Sequence, residues 1–253
     1  MRGIISIASV AVLALAFPAA ADVFNMAGGT ISLQFVTVGN PGNAPDTRYN
    51  GKSVGNVSYV YDVGKFETTA GQYCEFLNAV AKTDTYGLYN YHMDRDAELT
   101  GCNIKRTGSS GSYAYSVASD WASRPVNWVS WGSAARFANW LTNGQPVGDQ
   151  NATTTEDGSY LLNGVTDFSQ LMAVTRKTVA EGVHYYIPTR DEWYKAAYHK
   201  NDGVTGNYWN YPTATDARPS NKLLAVDGGN NANFYDNSYT IGAPYRRTVV
   251  GDF

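Results

Sequence analysis

The sequence predicts an irregular, loop-rich α+β domain. Helical periodicity occurs in a few short stretches, each opened by a capping signal. Period-two alternation is equally brief. Turn formers and aromatics stand where most soluble chains carry charge. Charged residues are 16% of the 253, against roughly 25% in typical soluble domains, while Gly numbers 25 and Tyr 19. Chains this rich in aromatics are not disordered, and chains this poor in charge are not coiled coils. Loops this long need hydrogen bonds, aromatic packing or metal to organise them.

The elements follow in order. Arg2, the apolar run Ile4–Phe17, Pro18 and Ala19-Ala20-Ala21 describe a secretory signal peptide over residues 1–21, too short to span a bilayer comfortably. A domain over 22–253 then follows, exported to a secreted or cell-envelope location. Residues 31–38 alternate, with Ile31, Leu33 and Phe35 on one face, and predict a half-buried strand. Residues 57–63 predict a second, with Val57, Tyr59, Tyr61 and Val63 on one face. Thr69 and Gln72 form a capping box ahead of Tyr73, Phe76, Leu77 and Val80, one face of a helix. Residues 83–125 read as loops with short strands near Tyr113–Val117. Ser130 caps a second helix with Ala134, Phe137, Ala138 and Leu141 on its apolar face, stopped at Gly144. Phe168, Leu171 and Met172 suggest a short helix. His184–Pro188 reads as a short strand running into a third main helix. That helix is capped by Thr189 and Glu192 and carries Trp193, Ala196 and Ala197.

Several chemistries are excluded or left open by the residues themselves. A net charge of −3 gives no footprint for nucleic acid. The three His, at 92, 184 and 199, lack H-E-x-x-H spacing, and no G-x-S-x-G elbow, phosphate loop or dinucleotide fingerprint occurs. His92 with Asp94, Asp96 and Glu98 offers metal ligands, or a solvated loop that also holds Arg95. Asp62, Glu67 and Asp191 have no placed acid–base partner, and Glu192 is accounted for by its cap. Cys74 and Cys102 are either a disulfide or two buried thiols. Asp227, Asn230, Asn231, Asn233, Asp236 and Asn237 suit either the oxygen shell of calcium or a turn-rich loop. Tyr208, Trp209 and Tyr211, with Tyr86, Tyr89 and Tyr91, are candidates for ligand contact or for ordinary packing.

Five blocks in order resemble the formylglycine-generating-enzyme (sulfatase-modifying-factor) family. They are Lys65–Tyr73 with Glu75–Asn78; Arg124–Trp131 with Ala135 and Asn139-Trp140-Leu141; Ile187-Pro188-Thr189 with Asp191-Glu192-Trp193 and Ala196-Ala197; Ala232-Asn233-Phe234; and Val250–Phe253. The wording also resembles exported bacterial members with exosortase sorting signals. The resemblance implies a variant of the C-type-lectin-like fold with little regular structure. It implies calcium held by the Asn233 side chain and the Phe234 carbonyl, although Gly242 or its neighbours stand where the family's downstream carboxylate falls.

The family's copper-binding Cys pair and its G-N-V-W-E-W block lie beyond the fifth block, so the resemblance implies that the chain is the N-terminal portion of the family domain. Copper or iron would then need ligands from a further C-terminal part or another domain. The expected function is an exported family member without a catalytic residue in this chain. The alternative is a non-catalytic lectin-like binding or envelope structural module. The expected partner is a protein, peptide or glycan, and the chain is expected to be a monomer.

Overall fold

The computed structural model describes residues 23–26, 29–94, 101–223 and 229–253. The expected signal peptide, Arg95, Asp96, Glu98 and Asp227 lie outside the described residues. Among the described residues, no helix is long and apolar enough to cross a membrane.

Regular structure is sparse. Strand β1 (Val23–Met26) pairs antiparallel with β2 (Gly29–Ser32), β3 (Phe35–Val38) with β4 (Tyr61–Gly64), and β5 (Ile104–Thr107) with β6 (Ala114–Val117). The helices are α1 (Ala70–Val80), α2 (Trp131–Thr142), a single turn α3 (Phe168–Leu171) and α4 (Arg190–Tyr198). Each cap read from the sequence is present. Thr69 and Gln72 exchange hydrogen bonds at α1, as Thr189 and Glu192 do at α4, and Ser130 Oγ accepts from Ser133 N at α2. Each such cap satisfies backbone donors that a helix start leaves open, at about 1 kcal/mol.

Three expectations need correction. Residues 31–38 are not one strand: Leu33 and Gln34 separate β2 from β3, and the two halves join different sheets. The anticipated buried face is open, with Phe35 41% and Ile31 36% exposed. The second strand begins at Tyr61 and not at Val57, because both backbone groups of Val57 are taken by a loop. Its carbonyl accepts from Gly42 N at 2.8 Å, and its N–H donates to Asn43 Oδ1 at 3.3 Å. Residues 183–189 form no strand. On α4, Trp193 is exposed, because the helix turns its polar side inward. Glu192 and Lys195 are each 1% exposed.

The main core is aromatic. From α1, Tyr73, Phe76, Leu77 and Val80 are buried, which bears out the predicted face. Phe76 meets Phe137 edge-on at 5.3 Å and Trp140 at 5.2 Å, and Phe24 of β1 stacks on Phe137 at 6.2 Å. Burying each such ring contributes about 1.5–3 kcal/mol, with a further fraction from ring geometry. A smaller cluster joins Ala135 and Ala138 of α2 to Tyr160 and Leu162. So α2 has core on two sides, and its third side carries Arg136.

Arg136 is buried, and it is paired. Its Nε and Nη2 donate to the two carboxylate oxygens of Glu156 at 2.7 and 2.8 Å, with Val165 O accepting a further bond at 3.0 Å. The side chains are 2% and 4% exposed. Thr155 Oγ1 and Gly164 N also donate to Glu156, so the loop after α2 is wrapped around one carboxylate. Replacing Glu156 with Ala leaves a buried guanidinium without its partner. The expected loss is about 3–5 kcal/mol, read from denaturant midpoints. A loss below about 1 kcal/mol, the surface-pair range, would contradict this.

Candidate functional site

A cleft of about 840 Å³ opens beside α2, within the size range of ligand sites, about 300–1,000 Å³. Its floor is Ala134, Phe137, Ala138 and Leu141 of α2. One wall is the β3–β4 hairpin with Phe35, Tyr61 and Val63, and the other is Val183, Tyr185, Tyr186 and Ile187. Gln34, Asp62, Glu67 and His184 add polar groups to its lining. The Phe35 and Tyr185 ring centroids are 6.0 Å apart.

The wall at 183–187 has no strand ladder, so side chains hold its backbone. Thr142 Oγ1 accepts from Tyr185 N at 3.2 Å, Ser159 Oγ donates to Tyr185 O, and Tyr160 Oη accepts from Ile187 N at 3.0 Å. The opposite wall is fixed through α4. Tyr61 Oη donates to the Glu192 carbonyl, and Tyr59 Oη donates to Glu192 Oε1 at 2.5 Å. Arg176 donates to both Glu192 oxygens at 3.0 Å. Burial pushes the Glu192 carboxyl up, but the bonds from Arg176, Tyr59 and Thr189 N outweigh it and hold it below the usual range. The charge therefore persists inside the fold. Lys195 Nζ, one turn on, donates to Asn40 O at 2.8 Å, and burial lowers its pKa.

The sequence pointed elsewhere for ligand contact. Tyr208 is buried and donates to Gly55 O and Ala44 O at 3.0 Å, so its role is packing. Tyr86 and Tyr89 lie under the guanidinium groups of Arg136 and Arg106. Tyr91 is exposed and lies tilted against His92, with ring centroids 3.9 Å apart. None of these lines the cleft. Of the residues that do, Tyr185 and Tyr186 had one signal, consecutive positions bounded by His184 and Pro188 in a segment read as a strand, and Phe35 stood on one face of the strand expected over 31–38.

The two cysteines are free thiols, both in the main core. Burial, then the charges of Glu75 and the other Cys, pushes the Cys74 thiol up to about 12, and burial raises Cys102 as well. Thiolate, the metal-binding and nucleophilic form, is thus disfavoured at both. Among the described residues, no three His, Cys, Asp or Glu side chains are grouped as a metal site.

At the expected calcium ligands, Asn233 Nδ2 donates to Thr248 Oγ1 at 3.5 Å, and Phe234 O accepts from Asn221 Nδ2 at 3.4 Å. Nearby, the buried side-chain oxygens of Asn230 and Asn231 have no hydrogen-bond partner among the described residues. Amide and carbonyl oxygens are donors that calcium takes, so the donor chemistry fits. Asp236, the carboxylate of this loop, is held by Arg218 at 2.9 Å. The negative share of a calcium shell would therefore come from elsewhere.

A family model described as the sulfatase-modifying factor enzyme 1-like domain matches residues 19–250. No curated protein and no solved structure matches significantly. That family's fold is C-type-lectin-like, in keeping with the short paired strands and long tied loops seen here. The chain belongs to the sulfatase-modifying factor enzyme 1-like domain family.

Proposed function

We propose that this chain is an exported, non-catalytic member of the family whose cleft beside α2 holds an extended peptide segment with apolar side chains. The cleft carries the reading. It has an apolar floor, aromatic walls and a few polar groups, the make-up of a site that binds by burial and orients by hydrogen bonds. Export rests on the signal-like residues 1–21. The non-catalytic part rests on Cys74 and Cys102, whose burial opposes the thiolate form that copper chemistry with cysteine needs. Calcium at the Asn233 side chain and Phe234 carbonyl belongs to the same reading, as a structural ion that ties down the loop after residue 229. The unpartnered oxygens of Asn230 and Asn231 support it.

Three measurements test this. A fluorescent heptapeptide with alternating aromatic or aliphatic residues binds saturably, and a Gly/Ser peptide of equal length does not. Phe35→Asp, at an exposed position, weakens binding about tenfold or more and leaves the melting temperature within a few degrees. Equal binding of both peptides, or an unaffected variant, overturns the cleft as the site. With copper supplied, a Cys-containing peptide is not oxidised, whereas oxygen-dependent turnover by this chain overturns the non-catalytic reading.

Thiol counting at pH 8 gives no fast reaction in the folded chain and two thiols after unfolding without reductant. A thiol that reacts in the native state, or none after unfolding, contradicts buried free thiols. For calcium, a free concentration near one hundred times Kd contributes about 2.7 kcal/mol, so excess chelator lowers the melting temperature by several degrees. No shift removes calcium from the account.

A further inference from the structure

On the outer side of α4 is a second, smaller pocket of about 160 Å³, lined by Asp46, Arg48, Tyr49, Tyr194, Trp209 and Asn210. It shares no lining residue with the cleft, so it stands or falls apart from the peptide reading. Its chemistry is specific. Asp46 is 2% exposed, and its carboxylate is fully engaged. Arg48 donates from Nε to Oδ1 at 3.0 Å and from Nη2 to Oδ2 at 2.9 Å. Arg48 N adds a bond at 2.8 Å and Tyr194 Oη one at 2.9 Å. Arg48's hydrogen bonds, opposed by burial, hold the Asp46 carboxyl below its usual range. The pair is therefore ionised and its charges cancel.

The guanidinium is fixed on its other side too. Nη2 donates to Tyr208 O at 2.8 Å and Nη1 to Asn210 Oδ1 at 3.1 Å. A guanidinium has five N–H groups, and these bonds use four, so one Nη1 hydrogen remains for a ligand. The Asn210 amide, with its oxygen turned to Arg48, offers its nitrogen. Aromatic rings complete the walls. Tyr49 is 52% exposed and meets Tyr194 edge-on at 6.1 Å. Trp209 lies under the Lys200 ammonium, 4.0 Å from its ring centroid, and that ammonium is paired with Asp216.

The frame beneath is rigid. Gly55 has φ +82° and packs so closely that a Cβ would sit 2.8 Å from Tyr208 Oη. Asp191 of α4 accepts from Gly55 N at 2.9 Å. The donors are thus pre-positioned, which lowers the ordering cost of binding.

We infer that this pocket binds a single neutral sugar ring, such as the terminal pyranose of a glycan. A neutral pyranose has an apolar C–H face that suits an exposed Tyr, and hydroxyls that match fixed donors and acceptors. A phosphate or carboxylate would meet a guanidinium whose charge Asp46 already cancels. No oxygen from the Asn233 loop takes part, so binding is independent of calcium.

The test uses saturation-transfer NMR on the full chain, in excess chelator, with glucose, galactose, mannose and N-acetylglucosamine as separate probes. At least one gives transfer to its ring C–H protons. Tyr49→Ala and Asn210→Ala, both at exposed positions, each weaken that sugar about tenfold while circular dichroism and melting stay as in the parent. No transfer from any of the four at tens of millimolar overturns the inference. So does binding that survives Tyr49→Ala, or transfer seen only with glucose 6-phosphate or glucuronate as probes.

Discussion

A fold built mainly of loops must still satisfy its buried backbone amides, and here side chains do much of that work. Asn139, fully buried on α2, shows the device. Its Nδ2 donates to Thr155 O and Tyr160 O at 2.7 and 2.8 Å, and its Oδ1 accepts from Tyr160 N at 2.8 Å. One amide thereby replaces a strand partner for the loop at 155–160. Asn78 of α1 does the same for Tyr115 of β6, donating to its carbonyl and accepting from its N–H at 2.9 Å. Asn43 binds Gly55 O and Val57 N. An unpaired buried amide would cost about 1–3 kcal/mol. Asn139 removes three such costs, and Asn78 and Asn43 at least two each.

The same device positions both candidate sites. The cleft's inner wall hangs from Thr142, Ser159 and Tyr160, and its outer wall from the carbonyl and carboxylate of Glu192. The small pocket sits on the far end of that network, where Asp46, Tyr194 and Gly55 meet α4. Helix α4 therefore braces the cleft's outer wall through Glu192, lines the small pocket with Tyr194, and buries charge between the two. This explains its inverted polarity: Trp193 is outside, while Glu192 and Lys195 are inside with partners.

Local signals in the sequence were legible wherever one element decides its own structure. The caps at Thr69, Ser130 and Thr189, the apolar face of α1 and the fold class all carried through. What could not be read depends on partners far along the chain. The strand expected from Val57 is shortened by a loop at residues 42–43. The strand expected from Ile31 to Val38 is cut in two because its halves pair with residues on opposite sides in sequence. The inward face of α4 could not be read locally either, because Arg176 and Asn40 set it. Of the sites, Trp209 was singled out and does line a pocket, whereas Tyr208 beside it is structural. Phe35 and Tyr185 carry no sequence mark of a cleft, since only the tertiary arrangement sets them face to face.

The central claim is that Asn side chains stand in for strand partners and give these loops the stability of regular structure. Native-state hydrogen exchange at the amides of Tyr160 and Tyr115 tests it most directly, because Asn139 Oδ1 and Asn78 Oδ1 accept from them. The account predicts that both exchange as slowly as the central amides of α1 and α2, through global opening. Exchange at the rate of exposed loops would contradict it.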